Sequence, residues 1–429
     1  MDERTFKPDE AVARERSKNL LKSTVGPLHG VRVLELGTMY AAPTAGRMLR
    51  DFGAEVTKVE DPLTGDFARQ WTPMKDGLSL GFARLNAGKR SVGIDLRKEE
   101  GRELVKELSA KVDVVIESFR PGRLEAWGLG YDVLSSENPG LILTRLSGFG
   151  QTGPYSSRPG FGTVAETASG FAFVNGWPQT PPTSPPFGFA DSIAGIAAAM
   201  GTAMSLYKRA STGIGEVVDV AIYEPLMFIL GDLVLKYEAT GEIQQRIGNG
   251  TGSASPRGIY QAADGRWVAI AASNQAIAKR LFAAMGESSM IEDPRFATNE
   301  ARLVNNEEVQ EKVKTWVGGI SRDEALQILE DYEVVASPVN DARDVVSDAH
   351  FRERTLVELT GNSILGAIRM PGPVLHLAGY EGPGYDGVPK IGEHSELYLT
   401  EMLGLSSYEI SRLAEKGVVG PVALAHSAE

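Results

Sequence analysis

The stretch Pro181–Arg209, PPTSPPFGFADSIAGIAAAMGTAMSLYKR, constrains this chain more than any other. Its prolines stiffen the approach by fixing φ, and that approach ends at one acidic residue, Asp191. From there Ile193, Ile196, Met200, Met204 and Tyr207 recur at near-helical spacing, with Ala and Gly in most of the remaining positions. The pattern predicts a long helix buried all round, whose small residues let other backbone come close. Asp191 then stands at the mouth of the helix, where peptide N–H groups and the positive dipole end favour an anion. Either it caps the helix, or it is a carboxylate nucleophile aimed into a pocket. The local sequence leaves both open.

At 429 residues the chain exceeds one typical domain and predicts two. A net charge of −12 argues against nucleic acid or an anionic membrane as a partner. The absence of cysteine excludes disulfides, thiolate nucleophiles, thiolate zinc sites and iron–sulfur clusters, and agrees with a reducing cytoplasm. Residues 1–26 read as a charged, amphipathic or partly disordered extension with no apolar signal core. No run of 18 or more apolar residues suggests a membrane span. The protein reads as soluble and cytoplasmic.

Short apolar runs at Val31–Leu36, Ala54–Glu60, Ser91–Leu96, Val112–Phe119 and Gly140–Gly150 predict five strands. Helical spacing separates them at Ala41–Phe52 and Glu100–Ala110. Such alternation means α/β, a parallel sheet covered on both faces, with ligands at the carboxyl ends of its strands. Those ends are Gly37–Tyr40, Glu60–Asp66, Ser118–Arg123 and Ser147–Gly150. A further helix is expected near Ile222–Tyr237. The polar, glycine-rich segment Gly241–Gly258 reads as a linker or mobile loop. Asp264-Gly265 between two strand-like runs signals a hairpin, and Ser406 with Glu409 signals a capping box. The expected organisation is a large domain over 27–240, a linker and small domain over 241–350, and a return to the large domain over 351–429.

No Walker A, HExxH or GxSxG pattern is present, Gly37-Thr-Met-Tyr-Ala-Ala stands after the first strand in place of the dinucleotide glycine pattern, and the five histidines lack metal-ligand spacing. The chain does carry LxGVRVLELGxxxAAPxAGxxLxDFGAEVxKVE at Leu28–Glu60, GDxxR at Gly65–Arg69 and LNxGKRSVGIDL at Leu85–Leu96. DVVIESFRPG follows at Asp113–Gly122, SGFGQTGPYSxRPGF at Ser147–Phe161, FADSIAG at Phe189–Gly195 and GNGTxxxSPRGIYQAADGRWVAIA at Gly248–Ala271. In these blocks, and in their order, it closely resembles the family III CoA-transferases of the CaiB/BaiF type.

The resemblance implies a Rossmann-like large domain built from both chain ends, an inserted smaller α/β domain and an interlocked homodimer. It aligns Asp191 with the family's catalytic aspartate, which would form a mixed anhydride and then an aspartyl-CoA thioester as CoA passes between two carboxylic acids. Acyl-CoA and a small acid are the implied partners; no metal or permanently bound cofactor is. CoA contacts are implied at Met39, Tyr40, Ala41, Ile94, Ser118, Phe119 and Trp127, with Arg69, Lys89, Arg90 and Arg123 as cations for its phosphates at the strand ends. Gly248, Asn249, Gly250 and Gly252 stand where the resemblance implies a glycine-rich lid, with three glycines but no unbroken run. Tyr40 replaces a family glutamine, and Asp61 an arginine found in some members. The related α-methylacyl-CoA racemases place an acid–base pair where this chain has Phe161 and Gly162, and a glutamate at Asn274. Proton exchange needs groups that hold a proton, so racemase is the weaker reading; a non-catalytic CoA-binding protein is the other. A dicarboxylic substrate would want another cation near Asp191, with Arg145, Arg158 and Arg257 as the sequence candidates.

Overall fold

The computed structural model describes residues 25–422, so nearly all of the expected N-terminal extension lies outside the described residues. The five expected strands form as β1 (Arg32–Glu35), β2 (Glu55–Glu60), β3 (Arg90–Gly93), β4 (Val114–Glu117) and β5 (Ile142–Ser147). A sixth, β6 (Val217–Ala221), escapes the apolar-run reading because its sequence, VVDVA, starts exposed and carries Asp219. All six pair in parallel in the order β3-β2-β1-β4-β5-β6. That is the order of a doubly wound nucleotide-binding sheet, whose ligand crevice lies where the winding reverses, between β1 and β4.

Strand side chains alternate between the faces, so each strand feeds two cores. Val33, Val56, Val114, Ile116 and Ile142 pack with helices α1 (Ala41–Asp51), α3 (Gly162–Ala168) and α4 (Phe189–Thr212). Leu34, Leu36, Val59, Val115 and Leu143 pack with α2 (Glu99–Ser109) and with Leu399, Ile410 and Val418 near the chain's end. Full burial of each such side chain stabilises the fold by about 1.5–3 kcal/mol. The Ser406–Glu409 capping box is present and opens the last helix, Ser407–Glu415.

Helix α4 forms as expected but is not buried all round. Ala190, Ala194, Ala198, Ala199 and Thr202 are its buried positions, whereas Met200, Met204 and Tyr207 are 57%, 62% and 84% exposed. The reason is close approach. A Cβ on Gly195 would stand 2.6 Å from Thr44 Cβ, and one on Gly201 2.8 Å from a Val218 methyl. The small face is therefore the one that fits against α1 and the sheet. The large residues instead line an apolar groove of about 670 Å³ with Leu28, Met48, Phe52, Leu375 and Leu377. By length and hydropathy alone α4 would pass for a membrane span; its packed small-residue side makes it a core helix.

The expected helix near Ile222–Tyr237 is two, α5 (Tyr223–Leu230) and α6 (Asp232–Thr240), divided at Gly231, whose φ is +58°. Contacts divide the chain into two units: one comprises residues up to Ser169, Pro185–Gly231 and from His350 on, the other Gly170–Ser184 and Asp232–Ala349. The second unit has its own antiparallel sheet, β7 (Arg257–Gln261), β8 (Trp267–Ala271) and β9 (Ala336–Pro338), with β8 central. Its hairpin turns at Asp264-Gly265, as read from the sequence. Its core is Val268, Ile270, Leu281, Val313 and Leu329.

Candidate active site

Asp191 is the third residue of α4. Gly188 holds the N-cap position and makes no side-chain cap, so the capping reading of Asp191 fails. The Asp191 carboxylate is half-buried and accepts the Gly162 N–H from the start of α3. A Cβ on Gly162 would stand 2.9 Å from Asp191 Cγ and closer still to an oxygen, so only glycine admits the carboxylate here. Burial first, and then the buried Glu166 carboxylate, push the Asp191 carboxyl up to about 6. Glu166 also accepts the Ala190 N–H, at 3.4 Å. The position that would carry a racemase aspartate is thus filled by the Asp191 carboxylate itself.

The β1–α1 loop meets the same place. Gly188 packs on the Tyr40 ring, with a Cβ there only 3.1 Å from ring atoms. Met39 has φ of +71°, uncommon for a residue with a side chain. Its N–H is held by both oxygens of Asp66, at 3.0 and 3.2 Å. Asp66 pairs with Lys58 at 2.8 Å, Lys58 with Glu35 at 3.0 Å, and Glu35 with Lys89 at 2.7 Å, all of them buried. Burial would push the Asp66 carboxyl up, but Lys58 and the N–H groups of Ala68 and Met39 outweigh it and hold it below its usual range. The sequence reading missed this network, because buried charges are rare and Glu35 is far from Lys89 along the chain.

The implied CoA contacts divide. Met39, Tyr40 and Ala41 follow β1, and Ser118 and Phe119 follow β4, the two strands flanking the crevice. Thr38 N–H donates to Ser118 Oγ at 3.3 Å, tying the two ends together. Phe119 meets Trp127 edge to face at 5.1 Å, and Arg123 lies exposed over Trp127 at 5.4 Å. Ile94, only 1% exposed, is core filling rather than a lining residue. Lys89 and Arg90 also depart from expectation, since both precede or open β3 at its amino end. Lys89 is buried on Glu35, and Arg90 pairs with Glu401 at 3.1 Å. Arg69 does lie beyond β2, paired through two nitrogens with Glu60, beside a cleft of about 390 Å³ that also contains Lys390. Lys390 carried no sequence signal. Asp61 pairs with Arg97 at 2.8 Å.

Of the candidates for a second carboxylate, Arg145 is held by Glu117 and Glu125, each at 2.7 Å, and Arg158 lies over Tyr155. Arg257 belongs to the second unit, as does the glycine loop. There Gly248, with φ of +66°, donates its N–H to Gly176 O at 2.9 Å and packs on Trp177. Asn249 and Gly250 line a cavity of about 470 Å³ within that unit, and Gly252 is exposed. Asn274 caps the helix Gln275–Ala284. Among the described residues no cluster of His, Cys, Asp and Glu could hold a metal.

The family model described as CoA-transferase family III matches residues 28–395. The chain belongs to that family. A succinyl-CoA–D-citramalate CoA-transferase from Chloroflexus aurantiacus is 40% identical, over 92% of this chain and 98% of its own length. A succinate–glutarate CoA-transferase from Agrobacterium fabrum is 33% identical, over 88% and 96%. The crystal structure of a CaiB/BaiF family protein from Brucella suis matches with a TM-score of 0.78 at 33% identity, covering 88% of this chain and 99% of that one. The protein is accordingly a CoA-transferase enzyme, and the non-catalytic reading is set aside.

For a CoA-transferase the perturbed Asp191 has a kinetic signature. As a nucleophile Asp191 would have to be ionised, and burial together with Glu166 raises its carboxyl to about 6. The kcat/KM for transfer should therefore fall as pH drops through about 6. Glu166→Gln removes one of the two causes of the shift, so the acid limb should move to lower pH. A limb unmoved in that variant would mean that Asp191 is not the titrating group.

Proposed function

We propose that this CoA-transferase moves CoA between dicarboxylic acids, with Asp191 as the covalent nucleophile. The observation that carries the mechanism is the half-buried carboxylate of Asp191, in the first turn of α4, seated against the Gly162 N–H at the start of α3. A carboxylate oxygen attacks the donor thioester carbon and expels CoA thiolate, giving a mixed anhydride. The thiolate attacks the Asp191 carbonyl, releasing the donor acid and leaving an aspartyl-CoA thioester. The acceptor carboxylate displaces the thiolate to form a second anhydride. The thiolate then attacks the acceptor's carbonyl and frees Asp191. Every step exchanges one acyl bond for another, so thioester energy is conserved provided water is kept out. The helix N-terminus favours the negative charge that develops at each step. The dicarboxylic class is supported by the relatives, whose names pair succinyl-CoA with D-citramalate and L-malate, and succinate with glutarate.

The test is chemical. Incubation with succinyl-CoA followed by hydroxylamine should leave a hydroxamate on Asp191, and borohydride should reduce the same carbonyl; modification elsewhere would remove the mechanism. Phe161, Gly162 and Asn274 offer no proton-transfer group, which leaves the racemase reading without an acid–base pair.

The proposal includes CoA contacts at Met39, Tyr40, Ser118, Phe119, Arg123 and Trp127, a lid role for the Gly248–Gly252 loop and a cytoplasmic setting. It also includes the interlocked homodimer, which the exposed apolar faces of α4 and of α5, with Met227, Phe228 and Ile229, support. Sedimentation at the mass of a single chain would reject the dimer.

A further inference from the structure

We infer that Arg84 reads the second carboxylate of the dicarboxylic substrate; this rests on the transfer reading above. Arg84 lies on the short helix Leu80–Asn86, its guanidinium carbon 5.6 Å from the centroid of the Tyr40 ring. Tyr40 is stacked on Trp71 with centroids 5.2 Å apart and planes at 26°. The Tyr40 ring also packs on Gly188, the N-cap of the helix that carries Asp191. The Tyr40 ring thus neighbours both the guanidinium and the residue that opens α4.

Charge makes the assignment specific. Asp191 and Glu166 already place two carboxylates together, and their mutual repulsion is part of what raises the Asp191 carboxyl. A diacid brings another negative charge into the same partly desolvated space, where an unmatched carboxylate is costly. Other cations of this unit are committed elsewhere: Arg69 to Glu60, Lys58 and Lys89 to Glu35, Arg47 to Asp51, and Arg145 to Glu117 and Glu125, while Arg158, which also enters no ion pair among the described residues, lies 3.6 Å over the Tyr155 ring. Among the described residues Arg84 enters no ion pair, and it is half-buried. Attraction to an aromatic ring orients a guanidinium while leaving its N–H edges free. Those edges match a carboxylate through two parallel hydrogen bonds. The Tyr40 ring is what holds Arg84 there.

The experiment compares transfer from succinyl-CoA to L-malate with transfer from acetyl-CoA to propionate, in the wild type, Arg84→Gln and Arg84→Lys. The ratio of kcat/KM, diacid pair over monoacid pair, should fall by about tenfold or more in Arg84→Gln, mostly through KM. Arg84→Lys, which keeps the charge and loses the fork, should recover part of it. An unchanged ratio in Arg84→Gln, including an equal loss on both pairs, would overturn the assignment and leave the transferase mechanism standing. No exchange by the wild type with either pair would remove the mechanism and this assignment together.

Discussion

Replacing Asp191 with Asn should stop CoA exchange, lowering kcat by at least about 10^4-fold, while the protein stays folded. The amide is nearly the same size, so the seat against Gly162 is kept and the carboxylate oxygen that the proposed mechanism acylates is lost. It also removes the charge that faces Glu166, relieving a repulsion in the folded protein. Thermal stability should therefore be equal to or above that of the wild type, which separates lost chemistry from lost structure. Hydroxylamine trapping should vanish in parallel with turnover. Retention of more than about one hundredth of the wild-type kcat would assign the covalent step to another group.

The strands were legible because each is a short apolar run closed by glycine or a charge, as in Val-Arg-Val-Leu-Glu-Leu-Gly at β1. β6 was not, since a strand near the sheet edge tolerates Asp219 and an exposed first residue. Periodicity located α4 but had it buried all round. It weighs Met200, Met204 and Tyr207 by hydrophobicity, whereas the sheet selects by how closely a backbone can approach, and there Gly195 and Ala198 win. The candidate site divides in the same way. The resemblance pointed to Asp191, and only the fold explains Gly162, whose missing side chain is the space that the carboxylate uses. Cations were the hardest to place. Lys89 and Arg90 belong to the amino end of β3, because strand polarity puts the first residues of a parallel strand opposite the ligand edge. Arg84 acquires its setting from Tyr40 and Trp71, which the sequence alone does not bring together.

Replacing Lys58 with Met should destabilise the protein by about 3–5 kcal/mol, the usual cost of stripping one partner from a buried ion pair. Lys58 Nζ reaches Glu35 at 3.0 Å, Asp66 at 2.8 Å and the Gly37 carbonyl at 2.8 Å, and it is fully enclosed. Burial would lower its affinity for a proton, but Asp66, Glu35 and Glu60 outweigh that and raise it, so the ammonium stays charged throughout the neutral range. Methionine supplies the stem and no charge, leaving Asp66 with only N–H donors and Glu35 with Lys89. Asp66 is held below its unfolded value, so its contribution is present above that value and lost as pH falls through the lower, folded one. In the variant this contribution shrinks, and the protein should lose stability at a higher pH on acidification than the wild type. Asp66 also fixes Met39 in its left-handed conformation beside Tyr40. A loosened Asp66 should therefore raise KM for acyl-CoA even at temperatures where the variant is folded. Denaturant titration across pH, together with steady-state kinetics, reads both effects. A stability change below about 1 kcal/mol would show that the buried charges repack without Lys58. An unchanged KM would show that the β1–α1 loop holds its shape by other means.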